Sequence, residues 1–257
     1  MKKKNIFKGI AILCAAACVA TLGQAIRIGY EYKQGENEYS NLADIMVSAN
    51  SSDIYVSKSA PAADAAEQAP IDVNFEALNA MNANVVGWLY CAGTPINYPV
   101  VQSSDNSYYL NRLYDDQTNS SGAIFMDAMN APDLSDANTI IYGHNMKNGT
   151  MFASLANYES QSYYAKHPVI YYLTRDRNYR IDVFASYETP GGSDAFTIFF
   201  DSEQTYSNYL QKRWNLSQID TSSLPMSTDD NIVTLTTCSY NYNDARYVVQ
   251  GKVTPLN

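Results

Sequence analysis

The stretch TLTTC occupies Thr234–Cys238, and an arginine, Arg246, follows eight positions after the cysteine. Four β-branched or apolar residues in a row have the composition of a buried strand. Cys238 closes the run, which puts its side chain at a strand end, near a surface rather than in mid-core. The intervening SYNYNDA, Ser239–Ala245, is rich in turn formers. A hairpin across it brings the two strand ends together and sets Arg246 beside Cys238. A structural cysteine has no use for an arginine. A nucleophilic thiol does, because a guanidinium is always charged and offers planar donors to an oxyanion. The bland readings are an inert buried cysteine and a surface ion pair between Arg246 and Asp244.

A thiol nucleophile needs a proton partner. The chain has two histidines. His144 lies in IIYGHNMKNG, just past a strand-like run and inside a Gly/Asn-rich loop, where binding and catalytic groups concentrate. His167 precedes Pro168 and reads as a solvent-exposed loop histidine. His144 stands 94 positions before Cys238, the reverse of the papain-like order. Cys238, His144 and Arg246 on strand ends form a candidate catalytic set: nucleophile, acid-base group and fixed cation. No stretch has metal-ligand spacing, and no cofactor is implied.

The chain has 257 residues, 46% of them hydrophobic and 17% charged, enough for one ordinary domain with appendages. Twenty-two tyrosines lean the composition towards half-buried strands. The net charge is −9, and residues 1–27 hold five basic residues and no acid. The remainder therefore sets 12 basic residues against 26 acidic ones, which excludes a domain-wide field for nucleic acid.

Lys2, Lys3, Lys4 and Lys8 precede an uncharged run of 18 residues, Gly9–Ile26. That is long enough for a transmembrane helix. The lysines predict a single-pass anchor in the cell membrane, with the N-terminus cytoplasmic and the rest outside. Its rival is a cleaved signal peptide with Gly23-Gln24-Ala25 as the cleavage site; the length of the run favours the anchor. An oxidising compartment permits a Cys91–Cys238 disulfide, but Cys91, in VVGWLYCAG, reads as a small buried hydrophobe.

Residues 31–70 are rich in Ala, Ser, Asp and Pro towards their end and read as a flexible extracellular stalk. The chain thus divides into an anchor (1–30), a stalk (31–70) and a folded domain (71–257). In the domain, Asp72 is the predicted cap of a short helix with Phe75, Leu78 and Met81 on one face. Nine strands are predicted: Val85–Tyr90, Ile96–Val101, Ala123–Met126, Thr139–Tyr142, Val169–Leu173, Tyr179–Ala185, Phe196–Phe200, Ile232–Thr237 and Tyr247–Val253. Helical interruptions are predicted around Tyr108–Leu113 and over Asp201–Trp214, where Tyr206, Tyr209, Leu210 and Trp214 share a face. The fold class is mainly β, a barrel or sandwich with helical decorations.

With these segments in place the chain resembles a class B sortase, a membrane-anchored cysteine transpeptidase of the Gram-positive-type cell surface. TLTTC is similar to that family's cysteine signature, and Arg246 falls where its arginine is expected. YGHNMKNGTMFASL at Tyr142–Leu155 resembles its catalytic-histidine segment. VVGWLYCAGTPINYPVVQ at Val85–Gln102 and GAIFMD at Gly122–Asp127 resemble class B in particular. The resemblance spans roughly residues 72–254.

It implies a closed eight-stranded β-barrel with an N-terminal helical extension and a helix before the cysteine strand. It implies that Cys238 cleaves a C-terminal sorting motif after threonine through a thioacyl-enzyme, with His144 as acid and base and Arg246 holding the oxyanion. The implied partners are a surface protein bearing the sorting motif and an amine from a peptidoglycan precursor or a pilin. Three alternatives stay open at this level: a hydrolytic cysteine peptidase, an L,D-transpeptidase-like wall enzyme, and a non-enzymatic surface-binding domain with Cys238 structural.

Overall fold

A computed structural model describes residues 2–49, 68–222 and 224–256 of the chain. In order, the elements are α1 (Lys2–Met46), β1 (Val47–Ala49), β2 (Ile71–Val73), α2 (Phe75–Met81), β3 (Val85–Tyr90), β4 (Asn97–Val101), β5 (Ile124–Met126), β6 (Asn138–Tyr142), α3 (Gln161–Tyr164), β7 (Val169–Leu173), β8 (Asn178–Pro190), α4 (Glu203–Leu216), β9 (Ile232–Cys238) and β10 (Ala245–Pro255). β3 to β10 close into one eight-stranded barrel in the order β10-β8-β7-β3-β4-β5-β6-β9. Two of its pairings, β4 with β5 and β6 with β9, are parallel, so the barrel is mixed. Its core includes Trp88, Leu89, Val100, Ile124, Ile141, Tyr172, Ile181, Leu235 and Val249, all buried.

Eight of the nine predicted strand segments are barrel strands. The ninth, Phe196–Phe200, is not a strand. A 3-10 turn covers Asp194–Phe196, and the remainder is a loop against α4, where the Phe200 ring lies 4.7 Å from Tyr206 and 4.9 Å from Tyr209. The physical reason is closure: every barrel strand already has two partners, and no edge remains for another. The α2 cap also moves. Asn74, not Asp72, accepts the Ala77 N–H at 3.0 Å, while Asp72 belongs to β2. Met81 is half exposed; Phe75 and Leu78 carry the packing. The predicted helix at Tyr108–Leu113 is a 3-10 turn over Tyr108–Asn111.

α4 is capped by Ser202 and buries Tyr206, Tyr209, Leu210 and Arg213. The Arg213 cation is fully buried, 4.7 Å from the Tyr209 ring centroid and 2.8 Å from the Asp194 carboxylate. This places one compensated charge between helix and barrel.

The largest departure concerns the predicted stalk. Residues 31–46 continue α1 and pack on the barrel, and β1 pairs antiparallel with β2. Tyr39, Leu42 and Met46 are buried. The spacing of these residues, three then four, makes one helical stripe. The Tyr39 hydroxyl donates to the Gly122 carbonyl at 2.8 Å, and its ring meets Tyr98 edge-on at 5.3 Å. The middle of the predicted stalk, residues 50–67, lies outside the described residues.

A consequence for truncation follows. Each of the three side chains is worth about 1.5–3 kcal/mol when buried, and a whole domain is stable by only about 5–15 kcal/mol. A fragment starting at Ile71 is expected to melt at least about 10 °C below one starting at Arg27. Thermal unfolding of both checks this. Equal midpoints would show that the α1 packing contributes nothing.

Candidate active site

Two strand ends make one wall of the site. β9 and β10 pair so that Arg246 sits directly opposite Cys238. The hairpin loop between them is closed by the Ser239 N–H to Ala245 carbonyl bond at 2.9 Å. Asp244 takes φ 60°, the left-handed conformation that aspartate tolerates better than most residues. Cys238 is half-buried and free, and Cys91 is a buried free thiol, so no disulfide joins them. Burial pushes the Cys91 thiol up; its neighbours are the Tyr158 hydroxyl and the Val169 carbonyl.

His144 comes from the next strand round the barrel. β6 runs parallel to β9 and ends at Tyr142, two residues earlier. The His144 ring approaches the Leu110 carbonyl at 2.7 Å through Nε2. A carbonyl only accepts, so Nε2 carries a proton in this arrangement and Nδ1 is the nitrogen left for exchange. Gly122 makes the approach possible. A Cβ there would fall 2.6 Å from the Leu110 oxygen and 2.8 Å from the His144 ring, and its φ of +59° favours glycine in any case. Asn145, next to His144, donates from its side chain to the Cys238 carbonyl at 2.8 Å, tying the two loops together.

His144, Cys238 and Arg246 line a single cleft of about 220 Å³, with Asn106, Leu110, Phe125, Tyr142, Gly143, Thr236 and Thr237. The walls are largely apolar. The hydroxyls of Thr236 and Thr237 are buried without a protein partner. Tyr142 and Asn106 both donate to Asp127 Oδ2 at 2.8 Å, and the Ala128 N–H holds the other end of the Asn106 amide at 2.8 Å. Burial first, then the Asp127 hydrogen bond, raises the Tyr142 phenol, while the Arg246 charge pulls it down. The net rise keeps it a neutral donor at physiological pH.

Arg246 also makes the bland contact: its Nη2 lies 3.0 Å from Asp244 Oδ1. Its side chain is about a third exposed, so the pair is a rim interaction. His167 is not a free loop histidine. Its Nδ1 bonds the Ala92 carbonyl at 2.9 Å and its ring packs on Tyr163. It is not among the cleft residues.

A family model for the sortase domain matches residues 91–254. The chain belongs to the sortase family. Sortase B of Listeria monocytogenes is 40% identical over 178 residues, which cover 68% of this chain and 72% of that protein. Sortase B of Staphylococcus aureus is 35% identical over 181 residues, covering 70% and 74%. Solved class B structures superpose on the barrel. A Staphylococcus aureus sortase B–substrate complex matches with a TM-score of 0.67 at 35% identity, over 70% of this chain and 84% of that one. Sortase B from Bacillus anthracis in complex with AAEK1 matches with a TM-score of 0.73 at 31% identity, over 88% and 99%. This chain is thus a class B sortase, and its activity is that of a cysteine transpeptidase.

In this sortase, Asn106, Leu110, Phe125 and Tyr142 line the cleft, and Asp127 holds two of them, without having been singled out from the sequence. Phe125, Tyr142 and Asp127 lie inside segments that carry the family resemblance. Asn106 has no such signal. It sits in SSDNSYY, which reads as an ordinary turn.

Proposed function

We propose that Cys238, its thiol proton passed to His144, attacks as a thiolate the carbonyl carbon of a threonine in the C-terminal sorting motif of a surface protein. The sulfur–carbon bond forms as the carbonyl π pair moves onto oxygen, giving a tetrahedral oxyanion. Arg246 stabilises that charge with its guanidinium. Collapse breaks the carbon–nitrogen bond, and His144 gives the departing amine its proton. The thioacyl-enzyme is then attacked by a primary amine of a peptidoglycan precursor or a pilin. His144 takes the proton from that amine, and the thiolate leaves. The observation that carries this reading is the convergence of Cys238, His144 and Arg246 on one small, mostly apolar cleft. Such a setting strengthens charge–charge contacts relative to water.

The protein works at the membrane in this reading. α1 contains the one stretch among the described residues that is long and apolar enough to cross a bilayer, near the N-terminus. The lysines before it favour a cytoplasmic N-terminus and an external barrel.

The test is a library of sorting-type peptides offered to the full chain in detergent, with and without an added primary amine, and scored by intact mass. The expected result is a mass on Cys238 equal to the peptide truncated after threonine, and amine-linked product when the amine is present. Cleavage that never yields amine-linked product would favour the hydrolytic peptidase. A trapped acyl group ending on another residue would overturn the threonine assignment.

A further inference from the structure

We propose that the catalytic end of the barrel faces the bilayer, and that the loop Ser239–Asp244 forms its contact with the lipid headgroups. The proposal rests on the reading of α1 as the membrane anchor, and strand polarity carries it from there.

β6 and β9 are parallel and finish at the same end of the barrel, with Tyr142 and Cys238. β5 is antiparallel to β6, and β4 is parallel to β5. β4 therefore starts at the catalytic end, with Asn97 and Tyr98. α1 reaches this end first. The Glu31 carbonyl accepts from the Asn119 side chain at 3.0 Å, and Gly35 lies against Ser121 so closely that a Cβ would stand 2.7 Å from its hydroxyl. Tyr39 then meets Tyr98 and bonds Gly122, the residue pressed against His144.

The helix finishes at the opposite end. The Met46 carbonyl accepts from the Asn74 N–H at 2.9 Å, and β2 leads through α2 into the start of β3. β3 is antiparallel to β4, so its start lies away from the cleft. Followed backwards, α1 leaves the barrel past its catalytic end.

The helix is unbroken from Lys2 to Met46, so this direction continues into the apolar run. Leu13, Val19, Leu22 and Ile26 are exposed along it, without barrel contacts to cover them. At 1.5 Å per residue, Glu31 lies about 8 Å and Tyr39 about 20 Å along the axis beyond Ile26. The headgroup zone occupies about 5–8 Å of that on each side. The cleft end is thus held close above the membrane surface.

What projects from that end suits an interface. Tyr240 is 73% exposed and Tyr242 43%, both on the loop that follows Cys238. Tyrosine is favoured at headgroup level, where one end of the ring is apolar and the other wet. Leu110, on the cleft wall, is also partly exposed. A reactant held in the same leaflet meets the cleft at its own height.

The test uses the full chain in phosphatidylglycerol–phosphatidylcholine nanodiscs. The photoreactive residue p-benzoylphenylalanine replaces, one at a time, Tyr240, Tyr242, Asp176 and Val19. Asp176 lies in the β7–β8 turn at the opposite end, and Val19 lies in the anchor. Lipid adducts are read by mass spectrometry after irradiation. The expected result is adducts at Val19, Tyr240 and Tyr242, with yields at the two tyrosine positions severalfold above that at Asp176. Adducts at Asp176 exceeding those at Tyr240 and Tyr242 would overturn the orientation while leaving the anchor intact. Adducts at Val19 alone would overturn the surface contact. Their absence at Val19 would remove the anchor reading, and the orientation with it.

Discussion

Cys238→Ala is expected to show no thioacyl-enzyme and no turnover above the uncatalysed background. No other thiol is placed to substitute. Cys91 is buried against Tyr158 and Val169, with its thiol pushed up by burial, and Cys14 and Cys18 lie on α1. The fold should survive, because Cys238 stands at the open end of β9 and is only half-buried. His144→Ala removes the group that protonates the leaving amine, and general acid–base catalysis contributes about 10²–10⁴-fold. It is expected to lose turnover on that scale. His167→Ala separates a histidine effect from a His144 effect. It deletes one bond to the Ala92 carbonyl, worth about 0.5–1.5 kcal/mol of stability, and turnover should stay near wild type. Intact-mass trapping and amine-linked product on the same preparations decide the matter. Normal turnover in Cys238→Ala would end the thiol mechanism.

Arg246→Lys is the second large effect. Its guanidinium is proposed to stabilise the oxyanion formed when Cys238 attacks, from the position directly across the hairpin. Lysine keeps the charge but loses the planar fork, and its compact ammonium sits differently. Removing one oxyanion donor lowers the rate by about 10²–10³, or about 2.7–4 kcal/mol. Arg246→Lys is expected to lose most transpeptidation on that scale, with Arg246→Ala at least as impaired. Stability should hardly change, since the rim pair with Asp244 contributes about 0–1 kcal/mol.

The decisive comparison is with alkylation. A small alkylating agent reacts with the thiolate without building an oxyanion, so both variants should be alkylated at Cys238 much as wild type is. Peptide turnover and alkylation rate are measured on one preparation, with circular dichroism to check the fold. If Arg246→Lys turns peptide over normally, the oxyanion role fails and the Asp244 ion pair is all that Arg246 provides. If alkylation falls in step with turnover, the arginine acts on the thiol itself.

Much of the site was legible because its signals are local. TLTTC declares a buried strand ending on a polarisable atom, and eight residues later a hairpin must return. Turn chemistry and strand period are properties of neighbouring residues, and they act over the distances that a motif spans. The same locality explains the histidine assignment. IIYGHNMKNG reads as a strand followed by a loop, and β6 ends at Tyr142, just before His144.

What was missed depends on remote partners. The Phe196–Phe200 run has strand composition, yet a closed barrel offers it no edge, and closure is a property of all eight strands together. Asn106 is a turn residue until Asp127, 21 positions away, bonds its amide. Residues 31–46 hold one narrow apolar stripe amid polar residues, too thin to read as more than a stalk. Its value comes from Tyr98, Tyr114 and Gly122, which supply the other surface.

By itself the sequence determined the eight barrel strands and the helix before the cysteine strand, the cysteine–arginine pairing across a hairpin and the charge asymmetry about an apolar run. Only the tertiary structure decided that α1 packs on the barrel and at which end it leaves it. Periodicity tells a segment which face to bury. It carries no information about the surface that will cover that face, which exists only once distant strands have closed.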